Sequence, residues 1–276
     1  MRNFAGGLEK PTYMNIKEVA QTLERFAPLP LQESYDNAGL QIGLTDAQEV
    51  SGVLLCLDVT EAVIDEAKAL GCNLIVSHHP LMFRPVKRID GQTMVTRCIA
   101  KAIAANIAIY SAHTNLDNAD DGVNYCIADH IGLCETGPLR PANAGGQDGS
   151  GLIGILPEPL PAEAFLKLIK DEFKVKCLMH NGCSPTRPIK KVALCGGAGD
   201  FLLDDAIAQG ADAFLTGEMG YHRFFGYENR ICIGVLGHYQ SEQYTVDLLA
   251  EILHKYLPDL RIEKTSIDTN PIQYLV

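Results

Sequence analysis

Three places in the chain gather residue types that bind metal ions. His78 and His79 stand side by side between the apolar run 72–76 and Pro80, while His113 and Asp117 lie four residues apart, as do His238 and Glu242. Neutral imidazole is the commonest metal ligand, and two neighbours at a strand end can face different ions, or a metal and a substrate. Taken alone, the adjacent pair reads as ordinary loop histidines, and a single His-x-x-x-carboxylate pair as surface structure. Their equivalent positions change that reading, because each group follows an apolar run with the length of a buried strand. An i, i+4 spacing on a helical first turn then puts both side chains on one face. The set contains His and carboxylate but no Cys, which suits zinc, iron or manganese better than calcium or magnesium alone. A catalytic zinc keeps about three protein ligands and one open position. Six candidate residues therefore point to two divalent transition-metal ions, zinc first and iron or manganese next. A carboxylate can bridge such ions at about 3.5–4 Å, and a shared water is acidified towards neutral pH, the chemistry of metal-assisted hydrolysis.

The segments that must position these residues alternate between strand and helix. Apolar runs 53–57, 72–76, 107–111, 152–156, 192–195, 211–215 and 231–236 read as strands; helical spacing marks 16–26, 60–70, 94–106, 123–131, 162–173 and 244–256. In open α/β sheets, ligands bind beyond the carboxyl ends of the strands, so residues remote in sequence can converge there. The expected fold is therefore α/β, with two α/β halves, largely parallel sheets and the metal site at strand C-terminal ends between them. The expected organisation is a loose N-terminal tail over 1–13 and a first half over 14–137 carrying His78, His79 and Asp117, joined by the C-terminal segment 264–276. A Gly- and Pro-rich linker over 138–151 then leads to a second half over 152–263 carrying His238 and Glu242. Residues 34–43 read as a structured connection, and Gly196-Gly197-Ala198-Gly199 as a tight turn rather than a phosphate cradle.

Composition narrows the function classes. The chain has 276 residues, 47% of them hydrophobic, enough to bury a substantial core. Its net charge of −11 argues against nonspecific nucleic-acid binding, which needs clustered Lys and Arg to neutralise phosphate. An anionic ligand would need local help from metal ions, helix N-termini or the basic patch Arg84, Lys87 and Arg88. Nine scattered cysteines without a Cys-x-x-Cys pair suit a reducing compartment rather than a disulfide framework. No signal peptide and no membrane-spanning apolar stretch are visible, so a cytoplasmic protein without membrane partners is expected.

Seven motifs, taken in order, carry a family resemblance. They are Asp36-Asn37-Ala38-Gly39-Leu40, Ser77-His78-His79-Pro80, His113-Thr114-Asn115-Leu116-Asp117, Cys195-Gly196-Gly197-Ala198-Gly199, Thr216-Gly217-Glu218, Gly237-His238-Tyr239-Gln240-Ser241-Glu242 and Thr269-Asn270-Pro271-Ile272. At these residues the chain resembles the NIF-three-like dinuclear-metal-centre family, whose members are often described as type-two GTP cyclohydrolase I homologues. The resemblance runs from Met14 over nearly the whole chain. It implies metal ligation by His78, His79, Asp117, His238 and Glu242, with Glu242 bridging two ions and the adjacent histidines on different ones. It also implies a ring-shaped homohexamer with its sites facing an internal cavity. His113 takes a proton-transfer or substrate role, with support of a ligand as the alternative, and Glu242 serves catalysis as well as ligation. Arg84, Glu218 and His222 are candidates for substrate contacts. Tyr35 stands where many relatives carry Trp, and the middle region is too short for the domain that some relatives insert there.

Two classes of function follow. The first is a dinuclear metal-dependent hydrolase, in its family-implied version a GTP cyclohydrolase-type enzyme acting on a purine nucleotide; release of phosphate instead of a ring-opened product would make it a metal-dependent phosphoesterase. The second is a metal-binding oligomeric scaffold or metal-handling protein without turnover.

Overall fold

Local sequence explains how the first helix starts. The Asn15 side chain accepts from the Glu18 amide while the Glu18 carboxylate accepts from the Asn15 amide, so two otherwise unpaired donors are satisfied at the start of α1 (Ile16–Phe26). Thr60 caps α2 (Glu61–Leu70), and Gly71, in the left-handed region at φ +71°, ends it. The computed structural model describes residues 14–43 and 48–275, so the tail expected over 1–13 lies outside the described residues.

The first sheet contains β1 (Gly39–Ile42), β2 (Val53–Cys56), β3 (Leu74–Ser77) and β4 (Ala108–Ser111). The second contains β5 (Cys134–Pro141), β6 (Gly149–Pro161), β7 (Met179–His180), β8 (Pro188–Cys195), β9 (Ala213–Thr216) and β10 (Cys232–Val235). A last strand, β11 (Ile262–Lys264), returns to the first sheet, whose order is β1-β4-β3-β2-β11; the second runs β5-β6-β8-β9-β10-β7. The first sheet is parallel except at β1, whereas the second is parallel only through β8, β9 and β10. The architecture is thus mixed α/β with two sheets that are parallel at their centres.

Two connections differ from the sequence reading. Both ends of the expected linker 138–151 are strand: β5 and β6 form an antiparallel hairpin in which Arg140 faces Ser150 and Pro141 faces Gly149. Pro138 and Pro141 are tolerated because β5 is a sheet edge, where a missing amide donor costs no ladder bond. Similarly, the end of the stretch 34–43 becomes β1, an antiparallel edge strand on β4.

The remaining helices are α3 (Met94–Ala104), α4 (Thr114–Asp117), α5 (Val123–Ile131), α6 (Ala162–Glu172), α7 (Leu203–Ala208), α8 (His238–Glu242) and α9 (Thr245–Tyr256). Alternation along the central strands divides them into layers. Val53, Leu55, Leu74 and Val76 of the first sheet, with Val192, Leu194, Ala213 and Leu215 of the second, face one shared core that includes residues of α1, α5, α6 and α9. Leu54 and Ile75 face away from it towards α2 and α3, and Ala193 and Phe214 away from it towards α7. Because the shared core draws on both sheets, the halves are expected to unfold together. In Leu253→Ala, which empties a fully buried position on α9, urea unfolding followed by far-UV and near-UV circular dichroism should show a single transition. Its stability should fall by about 2–5 kcal/mol.

Candidate metal centre

Register brings the strand ends of each sheet to one level. In the first sheet Cys56 pairs with Ser77 and Ser77 with Ser111; in the second Cys195 pairs with Thr216 and Thr216 with Val235. The residues that follow leave at the carboxyl edge, where open parallel sheets place their ligands. His78 and His79 extend beyond β3, their amides donating to the carbonyls of Cys56 and Leu57. The buried Ser77 hydroxyl donates to the His79 carbonyl at 2.8 Å and so holds this turn. From the other sheet, Gly237 at φ +102° starts α8, which carries His238 and Glu242 on one face, 3.2 Å apart.

Around this point, four imidazoles each have one ring nitrogen secured. Nδ1 of His78 bonds the Ala112 carbonyl, that of His79 the Asp58 carboxylate, that of His113 the Asp36 carboxylate and that of His238 the Glu218 carboxylate, at 2.8, 2.8, 2.7 and 2.9 Å. Such contacts fix ring orientation and leave the other nitrogen for a metal. Glu242, only 4% exposed, faces these rings with both oxygens. Its Oε2 lies 3.0 Å from His79 Nε2 and 3.2 Å from His238 Nε2, which are themselves 3.3 Å apart. Its Oε1 lies 3.7 Å from His78 Nε2, which is 3.6 Å from Asp117 Oδ1. Donors about 2.1 Å from a tetrahedral zinc stand about 3.4 Å from one another, so these separations suit a coordinated ion. His78 Nε2 and Asp117 Oδ1 are buried without a hydrogen-bond partner, a costly condition that a shared cation relieves. The donor chemistry and the orphaned atoms therefore fit a metal. His78, His79 and His113 form one ligand group, and His79, His238 and Glu242 another.

Electrostatics act on the same groups in opposite directions. Burial opposes ionisation of Glu242, yet the imidazoles of His238, His78 and His79 hold its carboxyl well below the usual range. Asp117 goes the other way, raised by burial and by the Glu242 charge. Burial pushes His78 down. It acts in the same direction on His79 and His238, but there the carboxylates prevail: Asp58 and Glu242 bring His79 up to about 10, and Glu242, aided by Glu218, brings His238 to about 9. Asp36 is buried as well, but its bond to His113 and the Thr114 hydroxyl pull it down to about 2.

The glycine-rich turn after β8 has a packing role. A Cβ on Gly197, which sits at φ +58°, would lie 2.3 Å from Glu242 Oε1, so the turn admits the carboxylate only because a side chain is missing. Asn124 ties the turn to the first half, donating to the Asp117 carbonyl at 2.9 Å and accepting from the Gly196 amide at 3.0 Å. The centre opens into a cleft of about 460 Å³ that Glu218 helps to line; Arg84 and His222, both exposed, do not line it. Sequence reasoning gave no site role to Asp36 and Asp58, the carboxylates that orient His113 and His79. Asp36 opens the motif Asp36-Asn37-Ala38-Gly39-Leu40, and Asp58 stands directly after the apolar run 53–57, which are their local signals.

Fold and centre together define an α/β protein whose two sheets close over a histidine–carboxylate cluster able to hold metal. The chain belongs to the Duf34/NIF3 (NGG1p interacting factor 3) family, whose model matches residues 14–271. It is 32% identical over 251 residues to a "GTP cyclohydrolase 1 type 2 homolog" of Clostridium acetobutylicum, covering 90% of this chain and 93% of that one. It is 30% identical to "NIF3-like protein 1" of Drosophila melanogaster, covering 92% of this chain and 87% of the relative. The crystal structure of a Bacillus cereus protein related to NIF3 superposes with a TM-score of 0.85 at 26% identity, over 96% of this chain and all of that one. Among the described residues, no helix is long and apolar enough to cross a membrane.

Two outcomes are expected of the centre. Metal uptake should displace protons, because the neighbouring carboxylates raise His79 to about 10 and His238 to about 9 and a protonated nitrogen cannot ligate. Zinc affinity should therefore rise with pH up to that range and fall in acid. Calorimetry in buffers of different ionisation heat should register net proton release. Gly197→Ala should lower zinc affinity about 10–100-fold by crowding Glu242, with the circular dichroism spectrum unchanged.

Proposed function

We propose that the protein is a metal-dependent hydrolase of a small molecule, working with two divalent transition-metal ions, zinc first and iron or manganese next. His78, His79, Asp117, His238 and Glu242 are the ligands in this reading. One observation carries it: the two oxygens of a single buried carboxylate, Glu242, serve separate partners, Oε1 towards His78 and Oε2 towards His79 and His238. When bound, such a pair supplies Lewis acidity close to neutral pH.

The remaining work falls to side chains of this chain. Asp36 holds His113 by Nδ1, and the Thr114 hydroxyl and amide hold Asp36 in turn, leaving His113 Nε2 to take and return a proton. His113 lines the cleft beside Asp117 and Glu242, within reach of a substrate seated there. The names of the relatives support cyclohydrolase chemistry on a purine nucleotide as the specific version. Assembly as a homohexamer, carried over from the family resemblance, belongs to the same reading. Nine unpaired cysteines support a reducing compartment such as the cytoplasm.

Zinc-reconstituted protein should hold two equivalents per chain by elemental analysis. It should turn over a substrate within a panel of GTP, other nucleotides and generic phosphoesters, and Glu242→Ala should lose both metal and turnover. His113→Ala should keep the metal while its kcat falls about 10²–10⁴-fold. Full metal content with no turnover across the panel would instead make the protein a metal-handling scaffold, and release of phosphate alone would make it a phosphoesterase.

A further inference from the structure

The cleft has a charge pattern at odds with a polyphosphate ligand. Glu33, Asp58, Asp117, Glu218 and Glu242 line it, and no Lys or Arg is among the described lining residues. Arg84, Lys87 and Arg88, the patch that would have offered phosphate contacts, are exposed on a loop outside it. Arg140 is committed elsewhere, paired with Asp205 at 2.6 Å and lying over the Phe201 ring at 5.4 Å. Among the described lining residues, a phosphate chain would find positive partners only at the histidine cluster, where it would compete with the reacting atom.

The five carboxylates are not equivalent. Asp58 and Glu218 are occupied by His79 and His238, and Asp117 and Glu242 belong to the cluster. Glu33 is held by neutral donors: Ser150 donates to its Oε1 at 3.1 Å and Asn118 to the same atom at 3.4 Å. Those two bonds fix the carboxylate and leave Oε2 to accept from a ligand. Beside it stand aromatic rings exposed far beyond what a core requires. Tyr35 is 61%, Phe83 42% and Phe201 41% exposed, and all three line the cleft. Tyr35 meets Phe83 edge to face at 6.2 Å, and Phe83 meets His113 at 6.0 Å, so this wall runs from the mouth to the centre. Glu33 and Tyr35 stand two residues apart and line the same cleft. Exposed rings converging on a cavity are platforms for a planar π-system.

From this juxtaposition we infer that the cleft recognises an amino-substituted planar heterocycle, its N–H edge on Glu33 and its ring between the aromatic walls, and that it does not recognise a phosphate chain. The inference rests on the hydrolase reading for the ring's approach to the cluster, and it names the substrate class of that site. The edge contact between the half-buried Glu33 carboxylate and a ring amine is selective, because a ring without the amine leaves the acceptor short of a donor.

Isothermal titration of the zinc-loaded full chain with guanosine, inosine, GTP and sodium tripolyphosphate tests it. Guanosine should bind at least as tightly as GTP and about tenfold or more tighter than inosine, which lacks the exocyclic amine; tripolyphosphate should not displace it. Glu33→Gln, whose amide oxygen can still accept from Ser150 and Asn118, should erase the guanosine preference. Tyr35→Ala should weaken both nucleosides alike. GTP binding about tenfold or more tighter than guanosine with tripolyphosphate competing would overturn the inference. So would equal affinity for the two nucleosides, or no binding of either. Binding is read without turnover, so Glu33-dependent binding in a protein that hydrolyses nothing refutes the hydrolase reading alone. Hydrolysis without that binding pattern refutes this inference alone.

Discussion

The buried carboxylate of Glu242 is the constraint on which the rest of the structure depends. A carboxylate that is 4% exposed is costly to keep charged, and only the surrounding imidazoles of His79, His238 and His78 make it tolerable. His238 comes from the same short helix as Glu242, but His78 and His79 follow a strand of the other sheet, so the imidazoles that favour the charged carboxylate are drawn from both sheets. The glycine turn follows from the same constraint. Gly197 must lack a side chain because Glu242 Oε1 occupies the place where its Cβ would be.

Around that carboxylate, the structure repeats one device four times. Each imidazole is anchored through Nδ1 by an acceptor from a different segment, and three of those acceptors are carboxylates, Asp58, Asp36 and Glu218. The anchors need no proximity in sequence, since Asp36 and His113 are 77 residues apart. Thr269 extends the arrangement by donating to Asp58 at 2.8 Å, which connects the C-terminal segment beyond β11 to the centre. Orientation of this kind narrows what the free nitrogens can do, and it is what separates a ligand cluster from a chance gathering of polar groups.

The cleft above the cluster carries a second pattern. It is lined by carboxylates and exposed rings, with no Lys or Arg among the described lining residues, whereas the relatives carry a name built on a nucleotide. The cation charge available in the site lies at its floor, where the histidines gather, and the walls supply shape and hydrogen-bond acceptance. A fold of this kind fixes where the cluster and the walls stand and not which ligand they take, so family membership does not settle substrate.

Much of this was legible in the sequence. Short apolar runs ending in His or a carboxylate marked the central strands of both sheets, because a strand buried on both faces needs an uninterrupted apolar stretch and a polar exit. The i, i+4 spacing of His238 and Glu242 placed both on one helical face, as the 3.2 Å contact bears out. Edge elements were not legible: β1 and the part of β5 inside the expected linker resembled loops, since an edge strand tolerates Pro, Gly and exposed positions. Nor were the partners that orient the site. His79 meets Glu242 across 163 residues, and Glu33 meets Ser150 across 117. Local patterns determine which residues stand at strand ends and which face they share, because those depend on periodicity within a few residues. Which ends meet, which carboxylate stays ionised and which acceptor is left free for a ligand depend on the packing of two sheets against common helices, and only the tertiary structure decided them.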